Sequence, residues 1–213
     1  MEVPVTTYSI EEERANTISH GVGAVAAVAG CVFLLVETHG LPSWGWVGVW
    51  LYAFSLVLSF VSSTVYHGTI ERRRKLLLKK LDHISIYFLI SGSYSALIMN
   101  RLMNEKGLLF LVALWAMTIV GIWFKARYVH RFKVFSTLIY VVMAYILFLD
   151  PLLFYQAFER STKILVVSSG FFYTVGVFFY LWKSKKWTHF VWHICVILGG
   201  GLYFAAVYNE LVS

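Results

Sequence analysis

The chain has 213 residues, of which 59% are hydrophobic and 14% are charged, and its net charge is +7. Soluble domains are typically about a quarter charged and just under half apolar, so this composition argues against a soluble domain. It favours an integral membrane protein, in which basic loops set the orientation of the chain. The positive charge therefore needs no nucleic-acid partner.

Seven apolar stretches with few charges follow one another along the chain. Each is close to the roughly 20 residues that a helix needs to cross about 30 Å of hydrocarbon. The predicted spans cover about residues 17–38, 44–66, 83–100, 107–124, 134–154, 163–182 and 188–208. The short connections leave no room for a second domain. The sequence thus predicts an all-α fold, a single seven-helix transmembrane bundle over residues 1–213.

Lysine and arginine are distributed unevenly between the two predicted sides of the membrane. Arg14, before the first span, and the segments after the second, fourth and sixth spans together hold 14 of the 18 basic residues. The cytoplasmic side of a membrane protein is enriched in these residues. We therefore expect a cytoplasmic N-terminus and a C-terminus on the outer side.

Three histidines, an aspartate and a serine are predicted to lie at the cytoplasmic face. His67 ends the second span, Asp82 precedes the third, and His189 and His193 begin the seventh. Ser63 lies four residues before His67, and residues four apart share one face of a helix. Ionisable groups in membranes are costly and usually face a cavity or the bundle interior. These side chains are therefore expected to form one site.

The residue types favour zinc, which in catalytic sites is held by three protein ligands and a water. We expect His67, His189 and His193 to be the ligands. Zinc lowers the pKa of a bound water to about 7. Asp82 is the expected acceptor of the water's proton, and Ser63 is expected to orient the water or polarise a substrate carbonyl.

Each residue also has a structural explanation when it is taken alone. His67 could be an interfacial or capping residue, and Asp82 could be a helix N-cap. The His189-x-x-x-His193 pair lacks the glutamate of the metalloprotease motif, because Phe190 follows His189. The joint placement at one face favours the metal site.

Other polar residues are predicted near the same plane. Glu13 and Asn16 either cap the first helix or partly cover the site. His20 either supports the metal ligands or is a packing residue. His83 is expected to point about 100° away from Asp82 around the helix, so we interpret it as structural or as supporting the ligands. Two histidines are predicted to lie apart from this plane: His39 and His130.

These motifs resemble the hemolysin III family, the bacterial branch of the progestin and adipoQ receptor group, whose superfamily also includes the alkaline ceramidases. The matching segments are Glu13-Arg14-Ala15-Asn16, His20-Gly21, Ser63-x-x-x-His67, Leu81-Asp82-His83, Gly92-Ser93-Tyr94 and His189-x-x-x-His193. The resemblance covers the whole chain, with Ser95 where the family usually has threonine. It implies a seven-helix protein of the bacterial plasma membrane. It also implies zinc on the three histidines and a role for Asp82 through water.

The preferred functional hypothesis is a zinc-dependent hydrolase, similar to a ceramidase, that cleaves a lipid amide or ester at the cytoplasmic leaflet. A site at this boundary can meet water from one side and an acyl chain from the other. Two alternatives remain open: a receptor-like regulator of membrane state with a structural zinc, and a cytolytic membrane protein. A transporter is less favoured, because no ionisable group is predicted at mid-membrane.

Overall fold

The structure is a computed structural model that describes residues 8–128, 133–182 and 184–212. The described residues form eight α-helices and a short 3₁₀ helix at Ile146–Leu149, without any strand, which confirms the all-α prediction. The helices are α1 (Ile10–Glu37), α2 (Ser43–Gly68), α3 (Arg72–Arg101), α4 (Glu105–Tyr128), α5 (Lys133–Ala144), α6 (Pro151–Ala157), α7 (Arg160–Leu181) and α8 (Thr188–Leu211). Three residues assigned to loops by the sequence analysis lie outside the described ranges: His130, Arg131 and Lys183.

Five of these helices, α1, α2, α4, α7 and α8, are long and apolar enough to cross a membrane. Each overlaps one of the predicted spans. Their outward faces carry exposed apolar side chains, such as Val25, Ile119 and Phe171. An apolar surface of this kind is unfavourable in water and suits contact with lipid. The predicted membrane embedding therefore has a structural counterpart in these five helices.

Helix α3 begins eleven residues before the predicted start of the third span, so the basic segment after α2 is helical. The Glu71 carboxylate caps this helix by accepting hydrogen bonds from the backbone N–H groups of Arg73 and Arg74 at 2.7 and 3.0 Å. Arginine, lysine and leucine also have high helix propensity. Asp82 consequently lies well inside α3, and its alternative interpretation as an N-cap is wrong.

The fifth predicted span, residues 134–154, is interrupted. Helix α5 ends at Ala144, the 3₁₀ helix follows, and α6 begins only at Pro151. Proline disfavours the α conformation in the residue before it. That residue, Asp150, instead caps α6 through its carboxylate. The pair Asp150-Pro151 indicates this interruption in the sequence. The apolar residues on both sides of the pair favoured a continuous span instead.

Helices α2 and α3 approach each other closely at two glycines, Gly92 and Gly48. A Cβ atom on Gly92 would lie 2.3 Å from Ser55 Oγ and 2.6 Å from the backbone oxygen of Leu51. A Cβ on Gly48 would lie 2.6 Å from the backbone oxygen of Ser95. Small residues at such positions let helix backbones pack closely in membranes. This contact packs the first half of α2 against the second half of α3.

We predict that Gly92→Ala lowers the stability of the protein by about 1–3 kcal/mol, the usual cost of overpacking. The added methyl group must displace the backbone of α2, because the Leu51 carbonyl cannot rotate away as a side chain could. Thermal unfolding in detergent measures the effect. The matched control is Gly201→Ala, where a Cβ meets nothing within 4 Å. Equal melting temperatures for the two variants would contradict this packing.

Candidate metal centre

Three histidine side chains from α2 and α8 meet inside the bundle. His189 Nε2 lies 3.2 Å from both His67 Nε2 and His193 Nε2. His67 and His193 are buried, with 3% and 1% of their surface exposed. Two nitrogens that each lie about 2.0–2.1 Å from a tetrahedral zinc are separated by about 3.3 Å. The spacing of the cluster therefore suits three ligands of one ion.

Hydrogen bonds from α1 set which ring nitrogen carries the proton. His67 Nδ1 lies 2.6 Å from Glu13 Oε2, and an ionised carboxylate can only accept. His193 Nδ1 lies 3.3 Å from Ser19 Oγ, whose own hydroxyl donates to the backbone oxygen of Asn16 at 3.0 Å. Both imidazoles thus donate through Nδ1 and keep a lone pair on Nε2. Hydrogen bonds of this kind orient histidines that bind metals.

The resulting arrangement of lone pairs is unfavourable without a cation. A neutral His189 could donate a proton from Nε2 to only one of its two neighbours, His67 or His193, although both lie at 3.2 Å. The other lone pair would remain buried without a donor, which costs roughly 1–3 kcal/mol. A single metal ion among the three Nε2 atoms satisfies all of them at once.

Glu13 is held in place by Lys75, which is almost completely buried. Lys75 Nζ lies 3.0 Å from Glu13 Oε1 and donates to the backbone oxygen of Thr69 at 3.0 Å, just after α2. A lysine near a helix C-terminus interacts favourably with its last carbonyl groups. Lys75 therefore connects α1, α2 and the first turn of α3 behind His67. In the sequence, Lys75 is only one of the basic residues that follow the second predicted span, and nothing there signals this role.

Glu12 joins the beginnings of α1 and α8, and sequence reasoning also missed this role. Its Oε1 atom accepts a hydrogen bond from the backbone N–H of Trp187 at 2.7 Å, and its Oε2 atom accepts from Ser9 N–H at 3.0 Å. Trp187 has a φ of 68°, a left-handed conformation that costs roughly 1–2 kcal/mol for an L-residue. The hydrogen bond that the Trp187 N–H donates to Glu12 stabilises this conformation, and His189 follows two residues later.

The remaining α1 residues named by the sequence analysis also lie beside the histidines. The His20 ring stacks on His193, with centroids 3.6 Å apart and planes inclined by 23°. Asn16 is fully buried and contributes its backbone oxygen to Ser19. In addition, the Tyr8 ring stacks on His189 at 4.6 Å. Tyr8, just before α1, and the first three turns of α1 thus together contact all three histidines of the cluster.

A cavity of about 670 Å³ adjoins the histidine cluster. Its volume lies within the roughly 300–1,000 Å³ of small-molecule sites. At the polar end it is lined by Ser63, Asp82, His189 and His193, and elsewhere mainly by apolar and aromatic side chains of α3, α5, α7 and α8. Phe171 of α7 lines the cavity and is also exposed on the outside of the bundle. The cavity therefore borders the surface that suits lipid.

Asp82 and Ser63 both line the wall of this cavity, as do His189 and His193. The Asp82 carboxylate makes an ion pair with the imidazole of His83, with Oδ2 and Nδ1 3.2 Å apart. His83 itself lines the cavity. The expectation that His83 points away from Asp82 is therefore wrong. The rotation of about 100° between successive residues describes the helix backbone alone. The two side chains are long enough to bend towards each other and meet.

Comparison with known proteins gives a family match over most of the chain. A family model described as "Haemolysin-III related" matches residues 8–204. The hemolysin-3 homolog of Bacillus subtilis (strain 168) is 32% identical over 201 residues, which cover 94% of each chain. Hemolysin-3 of Bacillus cereus is 32% identical over 203 residues, which cover 94% of this chain and 92% of that protein.

A more distant relative is the human monocyte to macrophage differentiation factor. It is 25% identical over 213 residues, which cover 94% of this chain and 84% of the human protein. No solved structure gives a significant match. The two Bacillus proteins and the family match confirm the resemblance inferred from the motifs. The chain therefore belongs to the haemolysin III-related family and is a multi-pass bacterial membrane protein.

Proposed function

We propose that this protein is a zinc-dependent hydrolase that cleaves an amide or ester bond of a membrane lipid. The observation that carries the proposal is the junction of two features. Three imidazoles with the nitrogen spacing of zinc ligands, those of His67 and His193 buried and that of His189 half-buried, adjoin a cavity whose walls are mainly apolar. A metal beside an apolar cavity suits a substrate with a polar linkage and a long hydrocarbon chain.

The proposal includes seven membrane crossings, with the metal centre at the cytoplasmic leaflet. Helix α3 and the interrupted α5–α6 segment would add two crossings to the five long apolar helices. The three histidines lie at the same end of the bundle as the basic first turns of α3, because Lys75 and His67 both contact Glu13. Basic residues of membrane proteins are concentrated on the cytoplasmic side.

The three histidines, Asp82 and Ser63 have different roles in the proposed hydrolysis. His67, His189 and His193 would hold zinc, which supplies Lewis acidity and lowers the pKa of water. Asp82, on the cavity wall, accepts the proton of the attacking water as a general base. Ser63 is buried one turn before His67 and donates a hydrogen bond to the carbonyl oxygen on which negative charge develops.

The walls of the cavity would hold the acyl chain. Burial of each methylene group contributes about 0.8 kcal/mol relative to water, although much less relative to the bilayer. Binding from the bilayer therefore depends mainly on the polar end of the cavity. Phe171 borders both the cavity and the outer surface of α7, so a lipid can enter from the side.

A second candidate is a receptor-like regulator in which zinc is structural. The observation that favours it is the ion pair of Asp82 with His83, since a paired carboxylate also fits a site that performs no chemistry. The metal would then join α2 and α8, with α1 held against both. The Bacillus relatives are named hemolysins, which keeps cytolysis as a third candidate, although no feature of the described residues favours it over the other two.

We predict that the double variant His189→Ala/His193→Ala loses bound zinc and melts at a lower temperature. Metal that binds only the folded state stabilises it by about 2.7 kcal/mol at a free concentration of 100 times Kd. Elemental analysis and thermal unfolding of the purified protein measure the two effects. His39→Ala is the control, because His39 is exposed and lies outside the cluster. Zinc retained by the double variant would show that the ligands are misassigned.

We predict that Asp82→Asn keeps zinc and thermal stability but loses about 10²–10⁴-fold in turnover, the usual contribution of a general base. Mass spectrometry of ceramides and glycerolipids incubated with the protein measures product formation. A regulator with structural zinc would instead show no product with either protein. Unchanged turnover in the variant would eliminate Asp82 as the base.

We predict that Glu13→Gln weakens zinc binding about 10–100-fold, as is usual when a carboxylate behind a histidine ligand is lost. The amide has a similar shape, but it interacts weakly with the His67 N–H and leaves Lys75 without its anionic partner. Competition with a chromophoric chelator measures the affinity. Glu11→Gln, two residues away and exposed, is the matched control. Equal affinities in the two variants would exclude this role for Glu13.

A further inference from the structure

The buried serines of α2 and α3 fall into two groups. Those that line the cavity are Ser59, Ser63 and Ser93, and their hydroxyl groups make no hydrogen bond within the described part of the chain, although at most 7% of each residue is exposed. The others donate to a backbone carbonyl oxygen, as serine commonly does in helices. This second group comprises Ser55, Ser62, Ser85, Ser91 and Ser95. Contact with the cavity thus coincides with a hydroxyl group that has no protein partner.

Two of the three cavity serines lie far from the histidines. Ser59 precedes His67 by eight residues on α2, which corresponds to about 12 Å along the helix axis. Ser93 follows Asp82 by eleven residues on α3, or about 16 Å. With the histidines at the cytoplasmic leaflet, both serines lie near the middle of a hydrocarbon layer about 30 Å thick. The proposed hydrolysis uses neither of them.

Tyr173 of α7 brings a third hydroxyl group to this part of the cavity. Its ring packs on α8 at Gly199, where an added Cβ would lie 3.1 Å from Tyr173 Cζ. A Cβ on Gly200 would lie 3.6 Å from both Tyr173 Oη and Phe60 Cζ, and Phe60 follows Ser59 on α2. Tyr173 lines the cavity, and its hydroxyl group has no hydrogen-bond partner among the residues that the structure describes. Three helices therefore each contribute one such hydroxyl group.

A plain hydrocarbon chain is a poor match for these three groups. Other residues of the cavity wall are apolar, among them Leu89, Val166 and Val196. A saturated chain that fills this space shields the hydroxyl groups from water and offers them no partner, which is unfavourable. A hydroxyl group on the chain can both donate and accept a hydrogen bond. A few polar groups in a mainly apolar pocket typically fix the orientation of a ligand in this way.

We propose that Ser59, Ser93 and Tyr173 form a second polar subsite, deep in the cavity, that binds a hydroxyl group carried by the hydrocarbon chain of a lipid. The subsite selects a lipid by the position of an oxygen along its chain, about 12–16 Å from the linkage held at the histidines. This inference rests on the proposed function, since it requires an acyl chain in the cavity. It does not require that the lipid is hydrolysed.

The experiment uses a positional series of lipid analogues. The parent analogue has a saturated acyl chain and a ketone in place of the amide or ester, so it cannot be hydrolysed. The other members carry one hydroxyl group at successive positions along the chain. Their affinities for the purified full-length protein in detergent are measured by displacement of a fluorescent acyl lipid. We expect a few neighbouring positions to bind about two- to tenfold more tightly than the parent, the effect of one hydrogen bond.

The double variant Ser59→Ala/Tyr173→Phe removes two hydroxyl groups, and we expect it to lose the dependence on position. It should bind the parent analogue as tightly as the wild type or more tightly, because fewer hydroxyl groups are then left without a partner. A folding defect would instead weaken the binding of every analogue. Ser93→Ala is expected to reduce the preference in part. The matched control is Ser55→Ala, because Ser55 is buried on the same helix but donates to the Tyr52 backbone oxygen and does not line the cavity.

The outcomes separate the inference from the proposed function. A preference for one position that the double variant retains overturns the inference, and so does equal loss of the preference in Ser55→Ala. Equal affinities of the wild type for all members of the series also overturn it, while the lipid cavity of the proposed function remains supported. If the wild type binds neither the parent analogue nor any hydroxylated one, the proposed function fails and the inference fails with it.

Discussion

The hydrogen bond between the Glu13 carboxylate and His67 Nδ1, 2.6 Å long, determines what the histidine cluster can do. It places the proton of His67 on the nitrogen that faces α1 and leaves the opposite lone pair directed at His189 and His193. Without a carboxylate at this place, the imidazole could adopt the other tautomer and simply donate to a neighbouring ring. The ability of the three histidines to share a cation therefore depends on Glu13, which is not itself one of the candidate ligands.

The same contact shows how the bundle accommodates charge in an apolar interior. An isolated charge there is very unfavourable, and a buried pair is tolerated only when further hydrogen bonds satisfy it. Glu13 meets this condition through Lys75 and His67, and Lys75 through the carbonyl group of Thr69. On the cavity wall, Asp82 is compensated by His83. Each carboxylate near the histidines thus has its own partner.

Much of this arrangement is predictable from the amino-acid sequence, because hydrophobic length and helical spacing are local properties. Ser63 and His67 are four residues apart, as are His189 and His193, and this spacing places each pair on one face of its helix. Lys75 could not be recognised, because its role depends on the start of α3 at Arg72. The role of Glu12 depends on the left-handed conformation of Trp187, which neither a proline nor a glycine signals.

Helices α1 and α8, which are far apart in the sequence, meet at the histidine cluster, and their meeting bears on how the protein is assembled. Glu13 and Ser19 belong to α1, whereas His189 and His193 belong to α8, which leaves the ribosome after the other seven described helices. The three histidines come together only when α8 has inserted and packed against α1 and α2. An ion shared by them would therefore be bound only after these helices have assembled.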